Sequence, residues 1–559
     1  MNDFRKIIIV LSLFFATHYS ISQTTKGNSL NGDNNGDLYG FSLALSEDGK
    51  RMVVGAASSD VPESNSGHVS IYEYNSTNSM WEKLGADITI SSKNDRQGWS
   101  VAMSYDGNVI AFSASQNDQN GTNSGKVFSY AWDGSNWTIR GNEIVGDDKS
   151  YFGTSIAMSK DGNRLVIGGP KANNNRGQVK VYDFNGTDWV QKGSVLTGTS
   201  PDDEFGFYVS ASESGDVFAV GTPMIRKDSS NKGYVKLYKW NGTDWVGHGN
   251  VINGTVSDSH FGYCVSVSAD GTIVAVGAEK GNILGDTSGS VDVYELSGNS
   301  WTRQNGTLKG INSFDKFGKA LRLSKDGKLL VVGAYKASSG AGYVDIYQYK
   351  NNTWSTYGNR ISGSSSDNDN MGWSVAISAD NKTIGTGSYR SDYNGAMSGK
   401  VNVYELCSPM NESVTQNGAI LTSDETATGV TYQWVDCNNN DAPISGETSV
   451  SFTATVNGNY AVVLTKDGCS VQSQCVTVSS LSLDDFFSNS QKVYFDFEAN
   501  RVVFPENIAV VQLYDIQGNK INAFTDVSAI DTGSLSHGVY FVTMQNKAKD
   551  DQVVFKFIK

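Results

Sequence analysis

The stretch Asp148–Pro170, DKSYFGTSIAMSKDGNRLVIGGP, decides the fold. It holds an acidic run, the pair Phe152-Gly153 and the pair Asp161-Gly162, set around two apolar segments that alternate with period two. Alternation of that kind marks half-buried strands, and Asp-Gly between two such strands marks a tight hairpin turn. Asp and Gly are favoured there because both tolerate positive φ.

The stretch is one copy of a repeat, and repeats govern architecture more than any local signal does. A bulky residue before Gly recurs at Tyr39-Gly40, Phe152-Gly153, Phe205-Gly206, Phe261-Gly262 and Phe317-Gly318, with degenerate copies at Gln97-Gly98 and Met371-Gly372. The glycines are separated by 58, 55, 53, 56, 56 and 54 residues. Each copy runs in one order: an alternating strand, a turn such as Asp48-Gly49 or Asp270-Gly271, and a second strand such as RLVIGG or LLVVGA. A variable loop, a third strand such as GQVKVY or GYVDIY, a turn, and a fourth strand opening on Trp then follow. Those tryptophans are Trp81, Trp137, Trp189, Trp245, Trp301 and Trp354, and recurrence in every copy reads as packing between repeats.

Four antiparallel strands in roughly 50 residues describe a propeller blade, so an all-β, seven-bladed β-propeller is expected over residues 23–406. The seventh copy ends at VNVYEL without a Trp strand. The segment after residue 22, KGNSLNGDNNGDLYG, resembles the end of the fourth strand in other copies. Residues around Gly27–Asn31 are therefore expected to supply the outer strand of the last blade and remove an exposed edge. The repeats resemble FG-GAP-like repeats of bacterial surface proteins, distant relatives of the integrin alpha-chain propeller. That resemblance implies architecture and leaves function open.

The ends of the chain speak to location. Arg5 and Lys6 precede an apolar run from Ile7 to Ala16, and Ser20 and Ser22 stand at −3 and −1 before Gln23. A secretory signal peptide over residues 1–22 is expected, its apolar run too short for a bilayer span. The formal net charge of −14 argues against nucleic acid and anionic membranes as partners. Of the five cysteines, Cys407, Cys437, Cys469 and Cys475 cluster. Disulfides are expected among these four in a secreted chain, with three pairings open. Cys264 sits alone in an apolar strand and reads as a buried thiol.

Residues 407–480, with Trp434 and Tyr460 as expected core, resemble an immunoglobulin-like module, so a β-sandwich is expected there. Residues 481–559 carry YDIQG at Tyr514–Gly518, GVYFV from Gly538 and a basic terminus with Lys556 and Lys559. They resemble the type A C-terminal sorting domain of the type IX secretion system. The resemblance implies a small C-terminal β-sandwich, the type IX machinery as a partner, and delivery to the outer-membrane exterior, attached to surface glycolipid or released.

Chemistry is sparse. The Asp-Gly turns carry one carboxylate each, too few oxygens for a hard cation. The acidic run before each aromatic-Gly pair supplies the binding candidates Asp147, Asp148, Asp202 and Asp203. Its copies Asp33, Asn35, Asp37 and Asp367, Asp369 come nearest to calcium-loop spacing, although neither has a downstream bidentate Glu. Calcium is the one cofactor this pattern admits, and solvated turn caps are the plain alternative. Trp99 and Trp373 follow the glycine of the degenerate copies, break the repeat, and are candidates for a ligand surface; core packing is the alternative. No nucleophile elbow, zinc helix or phosphate loop is visible, so no catalytic residue is assigned. The reading is a secreted or surface-displayed binding protein for a glycan or protein. A polysaccharide- or peptide-degrading enzyme with its site in the channel is the alternative, and a purely structural surface protein a third.

Overall fold

The computed structural model describes residues 23–90, 92–224, 231–281, 287–407, 410–466, 469–479, 493–545 and 552–559. The expected signal peptide at 1–22 lies outside them, as do the loop residues Arg226, Lys227, Asp228 and Asp286. The chain is nearly all-β and divides into two compact units, one over residues 21–408 and one over residues 409–559.

The opening stretch builds the first two strands of the third sheet in the first unit. Ser155–Met158, Arg164–Gly169, Gln178–Phe184 and Trp189–Gln191 pair antiparallel in chain order. A short continuation, Leu196–Thr197, pairs with the far end of the third strand. The hairpin turn is held by a serine that sequence reading passes over. Ser159 Oγ donates to Asp161 Oδ1 at 2.6 Å and accepts the Arg164 amide at 2.9 Å, while the Asn163 amide donates to Asp161 at 3.0 Å. Asp161 is thus a turn-holding group, and the same Ser-x-Asp arrangement recurs at Ser46/Asp48, Ser104/Asp106, Ser268/Asp270, Ser324/Asp326 and Ser378/Asp380.

Seven such sheets follow one another. The Phe-Gly pair explains how each meets the last. Gly153 has φ +88°, and a Cβ there would stand 2.6 Å from Ser113 Cβ of the preceding sheet. Gly168, on the second strand, would place a Cβ 2.0 Å from the Gly206 carbonyl oxygen of the next sheet. Adjacent sheets therefore approach through their backbones, glycine to glycine, and only glycine permits both the conformation and the closeness. The seventh sheet meets the first in the same way: a Cβ on Gly387 would lie 2.2 Å from the Gly40 carbonyl oxygen. Serines add sheet-to-sheet bonds along the inner strands, since the Ile156, Val209, Val267 and Leu323 amides donate to Ser100, Ser155, Ser210 and Ser266 Oγ.

The seventh sheet takes its outer strand from the other end of the unit. Ser374–Ile377, Thr383–Ser388 and Lys400–Leu406 are completed by Gln23–Thr25 and Leu30–Asn31, paired on Lys400–Leu406. The repeated tryptophans tie outer strands together: Trp189 Nε1 donates to the Arg140 carbonyl at 3.1 Å and Trp301 Nε1 to His248 at 2.7 Å. Trp81 makes the same bond, at 2.8 Å, to Lys26 of the N-terminal segment. Leu30, Tyr39, Met52, Trp81, Val401 and Val403 share one buried cluster across this junction.

In the second unit, Val414–Asn417, Ile420–Ser423 and Ser451–Thr453 form one antiparallel sheet. Thr431–Asp436, Gly458–Lys466, Cys469–Gln472 and two short strands form another. Trp434 is fully buried and stacks on Phe452 at 5.5 Å, with Tyr460 edge-on to Phe452 at 5.0 Å. Cys437 and Cys475 are joined by a disulfide and Cys469 is likewise disulfide-bonded; in the first unit Cys407 is disulfide-bonded and Cys264 is a free, buried thiol.

The last segment is one continuous five-stranded sheet, Tyr494–Asp496, Arg501–Tyr514, Lys520–Asp531, Val539–Gln545 and Gln552–Ile558. The long strand is interrupted by a bulge between Val503 and Ile508, so it carries different partners on its two halves. Phe495 of the first strand stacks on Phe557 of the last at 5.0 Å. Asp515 Oδ1 accepts the Gln517 and Asn519 amides at 2.9 and 2.8 Å, which makes the YDIQG motif a capped turn. Gly538 and Lys559 exchange both backbone hydrogen bonds.

Candidate functional site

A cavity of about 110 Å³ is lined from every sheet of the first unit, by Glu47, Tyr105, Met158, Glu213, Val267, Leu323 and Ile377 among others. It lies on an axis shared by the seven inner strands. Residues at equivalent repeat positions stand at one level around that axis, and each level has its own chemistry.

The lowest level is the second residue of each hairpin turn, Ser-x-Asp in six copies and Ser212-Glu213-Ser214 in the fourth: Glu47, Tyr105, Lys160, Glu213, Ala269, Lys325 and Ala379. Their backbones form a belt. Glu47 donates to Tyr105, Tyr105 to Lys160, Lys160 to Glu213, Glu213 to Ala269 and Ala269 to Lys325, over 2.7–2.9 Å, and Asp380 returns to Glu47 at 3.0 Å. Lys325 reaches across to both Glu47 and Glu213 at 3.5 Å, and Lys160 pairs with Glu213 at 3.0 Å. Ion pairs thus cross this mouth.

Higher up, one level reads Ala44, Ala102, Ala157, Ser210, Ser266, Arg322 and Ala376. Six small side chains leave room for one arginine. Arg322 Nη1 donates to the Tyr208 hydroxyl at 2.7 Å and to the Leu321 carbonyl at 3.1 Å.

The upper mouth is the residue after each aromatic-Gly pair: Phe41, Trp99, Thr154, Phe207, Tyr263, Lys319 and Trp373. Except at Thr154, these side chains are aromatic or stacked on an aromatic, and they meet around the axis. Phe41 lies 4.6 Å from Trp99 and 5.3 Å from Trp373, ring centre to ring centre, and Phe207 lies 4.9 Å from Tyr263. Lys319 Nζ sits 3.6 Å over the Trp373 ring and 5.9 Å from that of Tyr263. Tyr389 and Tyr335, each just past the end of a second strand, extend the wall, 4.0 and 5.0 Å from Trp373. Trp99 and Trp373, singled out in the sequence for breaking the repeat, are therefore brought together with Phe41 between them. All three are half-buried. Burial presses the Lys319 ammonium down to about 8, against the partial opposition of Cys264 and Glu279.

A rim surrounds this mouth. The residue before each aromatic-Gly pair is left-handed in all seven repeats: Leu38, Arg96, Tyr151, Glu204, His260, Lys316 and Asn370, with φ between 51° and 60°. Bulky residues are rarely held there, and such strain collects where structure serves function. At the fifth sheet His260 Nδ1 lies 3.2 Å from Glu279 and Nε2 lies 3.5 Å from Asp258, with Lys316 at 3.9 Å from Glu279. Burial pushes the Glu279 carboxyl up, but the His260 hydrogen bond and the charges of Lys316 and Lys319 bring it below its ordinary value.

The acidic candidates divide in two. Asp37, Asp95, Asp203, Asp315 and Asp369, each two residues before the bulky residue, are buried loop caps. Asp203 Oδ2 accepts the Thr199 and Ser200 amides at 3.0 and 2.9 Å and the Tyr234 hydroxyl at 3.1 Å. Asp369 accepts the Ser364 amide at 2.7 Å and the Ser391 hydroxyl at 2.7 Å, and pairs with Lys400 at 3.1 Å. Ser150 and Ser259 occupy the same position, also buried, in the remaining two repeats. A carboxylate enclosed in this way is out of reach of a solvent-borne ligand, so Asp203 is withdrawn as a binding residue.

The outer acids are surface groups. Asp147 accepts from Gln178 and Lys180 at 2.7 and 2.9 Å; Asp148 faces the exposed Lys149 at 3.5 Å; Asp202 accepts from Asn175 at 2.8 Å. Asp33 and Asn35 are exposed, Asp37 Oδ2 accepts the Asn34 amide at 2.9 Å, and Asp367 is half-buried beside Ser366. Among the described residues, the one set of three His, Cys, Asp or Glu ligand atoms within 4.8 Å is Cys437, Asp441 and Cys475, and two of these form the disulfide. Among the described residues the loop carboxylates do not converge as a hard cation requires.

Comparison with known proteins identifies the C-terminal sheet. Residues 489–559 match the secretion system C-terminal sorting domain. The chain is thus a cargo of type IX secretion, engages that machinery, and is delivered to the cell surface or released. The match begins eight residues after the expected boundary at 481. No curated protein matches the chain. Among solved structures, a putative 6-phosphogluconolactonase from Bacteroides uniformis is 10% identical, with TM-score 0.39, over 58% of this chain and 85% of that one. The WD40 repeats of RRP9 are 14% identical, with TM-score 0.43, over 69% of this chain and all of that one.

Proposed function

We propose that the protein is an exported binding protein whose ligand site is the aromatic upper mouth of a seven-bladed β-propeller of FG-GAP-like type. The seven sheets are its blades, and residues 407–480 act as an Ig-like spacer ahead of the sorting domain. Attachment through that domain to outer-membrane glycolipid would hold the mouth at the cell exterior. The observation that carries the reading is the wall formed by Trp99, Phe41 and Trp373, three half-buried rings on three consecutive sheets with Phe41 in contact with both tryptophans. Clustered, partly exposed aromatics give large contact area at small entropic cost, which suits a glycan or a protein loop. Binding of the full chain to a glycan and matrix-protein array, compared with Trp99→Ala, tests it. Retention of every bound ligand by the variant would sink the reading.

A second reading, a hydrolase, draws on the His260–Glu279 pair at 3.2 Å on the rim. A histidine oriented by a carboxylate has the geometry of a general base. Glu279 is shared with Lys316, and no serine, threonine or cysteine nucleophile accompanies the pair among the described contacts. Turnover of a polysaccharide and peptide panel that His260→Gln abolishes would favour this reading over the first.

A further inference from the structure

Two cations stand in the upper channel with no acid at their levels. Lys319 shares its level with aromatic rings and Thr154, and Arg322 shares its level with alanines and serines. Among the described residues neither makes an ion pair. Lys319 Nζ has the Trp373 ring beneath it and the Trp373 carbonyl at 3.4 Å; Arg322 has the Tyr208 hydroxyl and the Leu321 carbonyl. No carboxylate bonds to either cation, and Glu279 acts on Lys319 from beyond ion-pair distance. Burial raises the Tyr208 phenol well above its ordinary value, so it stays neutral. The Cys264 thiol lies 3.9 Å from the Leu321 carbonyl as a weak donor. Glu279, above, is engaged by His260 and Lys316. The Trp373 indole nitrogen is buried with no acceptor, which leaves one unused donor beside Lys319.

Both side chains are half-withdrawn from water, which is costly for a cation with no counter-ion in contact, and a carboxylate bound by an ammonium and a guanidinium makes charge-assisted bonds that offset the cost. We propose that Lys319 and Arg322 hold an anion: the carboxylate of a ligand whose ring-shaped body stacks on Phe41, Trp99 and Trp373. This rests on the mouth being the ligand site, and it narrows the ligand to an acidic one, a uronic sugar or an aromatic acid.

The test follows tryptophan emission of the full chain titrated with sodium glucuronate, its neutral methyl ester, sodium benzoate and sodium acetate. Saturable binding of glucuronate or benzoate is expected, at least tenfold tighter than of the ester, and the tighter of the two names the body. Lys319→Met and Arg322→Met should each weaken it at least tenfold, and Lys319→Arg should restore most of it. If Arg322→Met fails to fold, Lys319→Met decides. Equal binding of glucuronate and its ester, no carboxylate binding, or Met variants that bind like the wild type would overturn the proposal. The two readings fail separately. Acetate that saturates and is lost in Lys319→Met, with no array ligand bound, keeps the anion site and removes the aromatic mouth. An array ligand lost in Trp99→Ala but unaffected by Lys319→Met keeps the mouth and removes the anion.

Discussion

Arg322 of the sixth sheet donates a 2.7 Å hydrogen bond to the hydroxyl of Tyr208 on the fourth, passing the intervening fifth sheet across the channel. The bond gives a guanidinium in a confined place its main partner. Tyr208→Phe should therefore cost about 1.5–3 kcal/mol, the usual worth of a hydrogen bond to a charged group. Arg322→Met should cost less, because it removes the unpaired charge along with the bond. Denaturant unfolding of both variants checks the order, and equal losses would contradict it.

The pH dependence of stability should carry the mark of Lys319. Burial lowers its ammonium to about 8 from an ordinary 10.5, while Cys264 and Glu279 raise it and Arg322 lowers it further. Between those two values the unfolded chain keeps a proton that the folded chain has released. Stability therefore rises with pH through that window. Lys319→Met lacks the effect, so it should be the more stable protein at pH 7 and lose that advantage as pH approaches 10.5. A gap that does not change with pH would count against the burial of this amine.

The buried and exposed acids of the loops should respond differently. Asp203→Ala strands two backbone amides and the Tyr234 hydroxyl, and should cost about 2–3 kcal/mol. Asp148→Ala removes a surface pair with Lys149 and should change stability by less than about 0.5 kcal/mol. Calcium or a chelator should leave the melting temperature of the wild type unchanged, because Asp369 already has Lys400 as its cation. A calcium-dependent rise abolished by Asp37→Ala would reverse that conclusion.

Closure of the first unit depends on a short segment. Gln23–Thr25 and Leu30–Asn31 complete the seventh sheet, the Lys26 carbonyl receives Trp81, and Lys26 Nζ donates to Thr383 Oγ1 at 2.9 Å. Leu30→Ala should cost about 2–4 kcal/mol as a core truncation. Deletion of residues 23–31 should lower the melting temperature far more, since it opens a sheet edge. A deletion variant that melts like the wild type would show that the circuit closes without it.

Much of this architecture is legible in the residues themselves. Phe152-Gly153 and Asp161-Gly162 announce a backbone approach and a hairpin because few other residues satisfy those geometries. The site is less legible. The carboxylates of Asp203 and Asp148 are one residue type in neighbouring loops, and only the three-dimensional loop shows that one is enclosed and the other solvated. Lys319 and Arg322 look like ordinary strand polar residues until the seven copies are aligned column by column. The first then stands among aromatics and the second among alanines and serines. Trp99 and Trp373 were visible as breaks in the repeat, but Phe41 between them belongs to a regular copy and carries no such mark.

The central claim is that the upper mouth binds the ligand. Amide hydrogen exchange of the full chain, with and without a ligand selected on the array, tests it most directly. Added protection is expected only at the inner-strand starts around Phe41, Trp99 and Trp373 and at the rim loops that precede them. Protection at the Ser-x-Asp turns of the lower mouth, or within residues 409–559 instead, would contradict it.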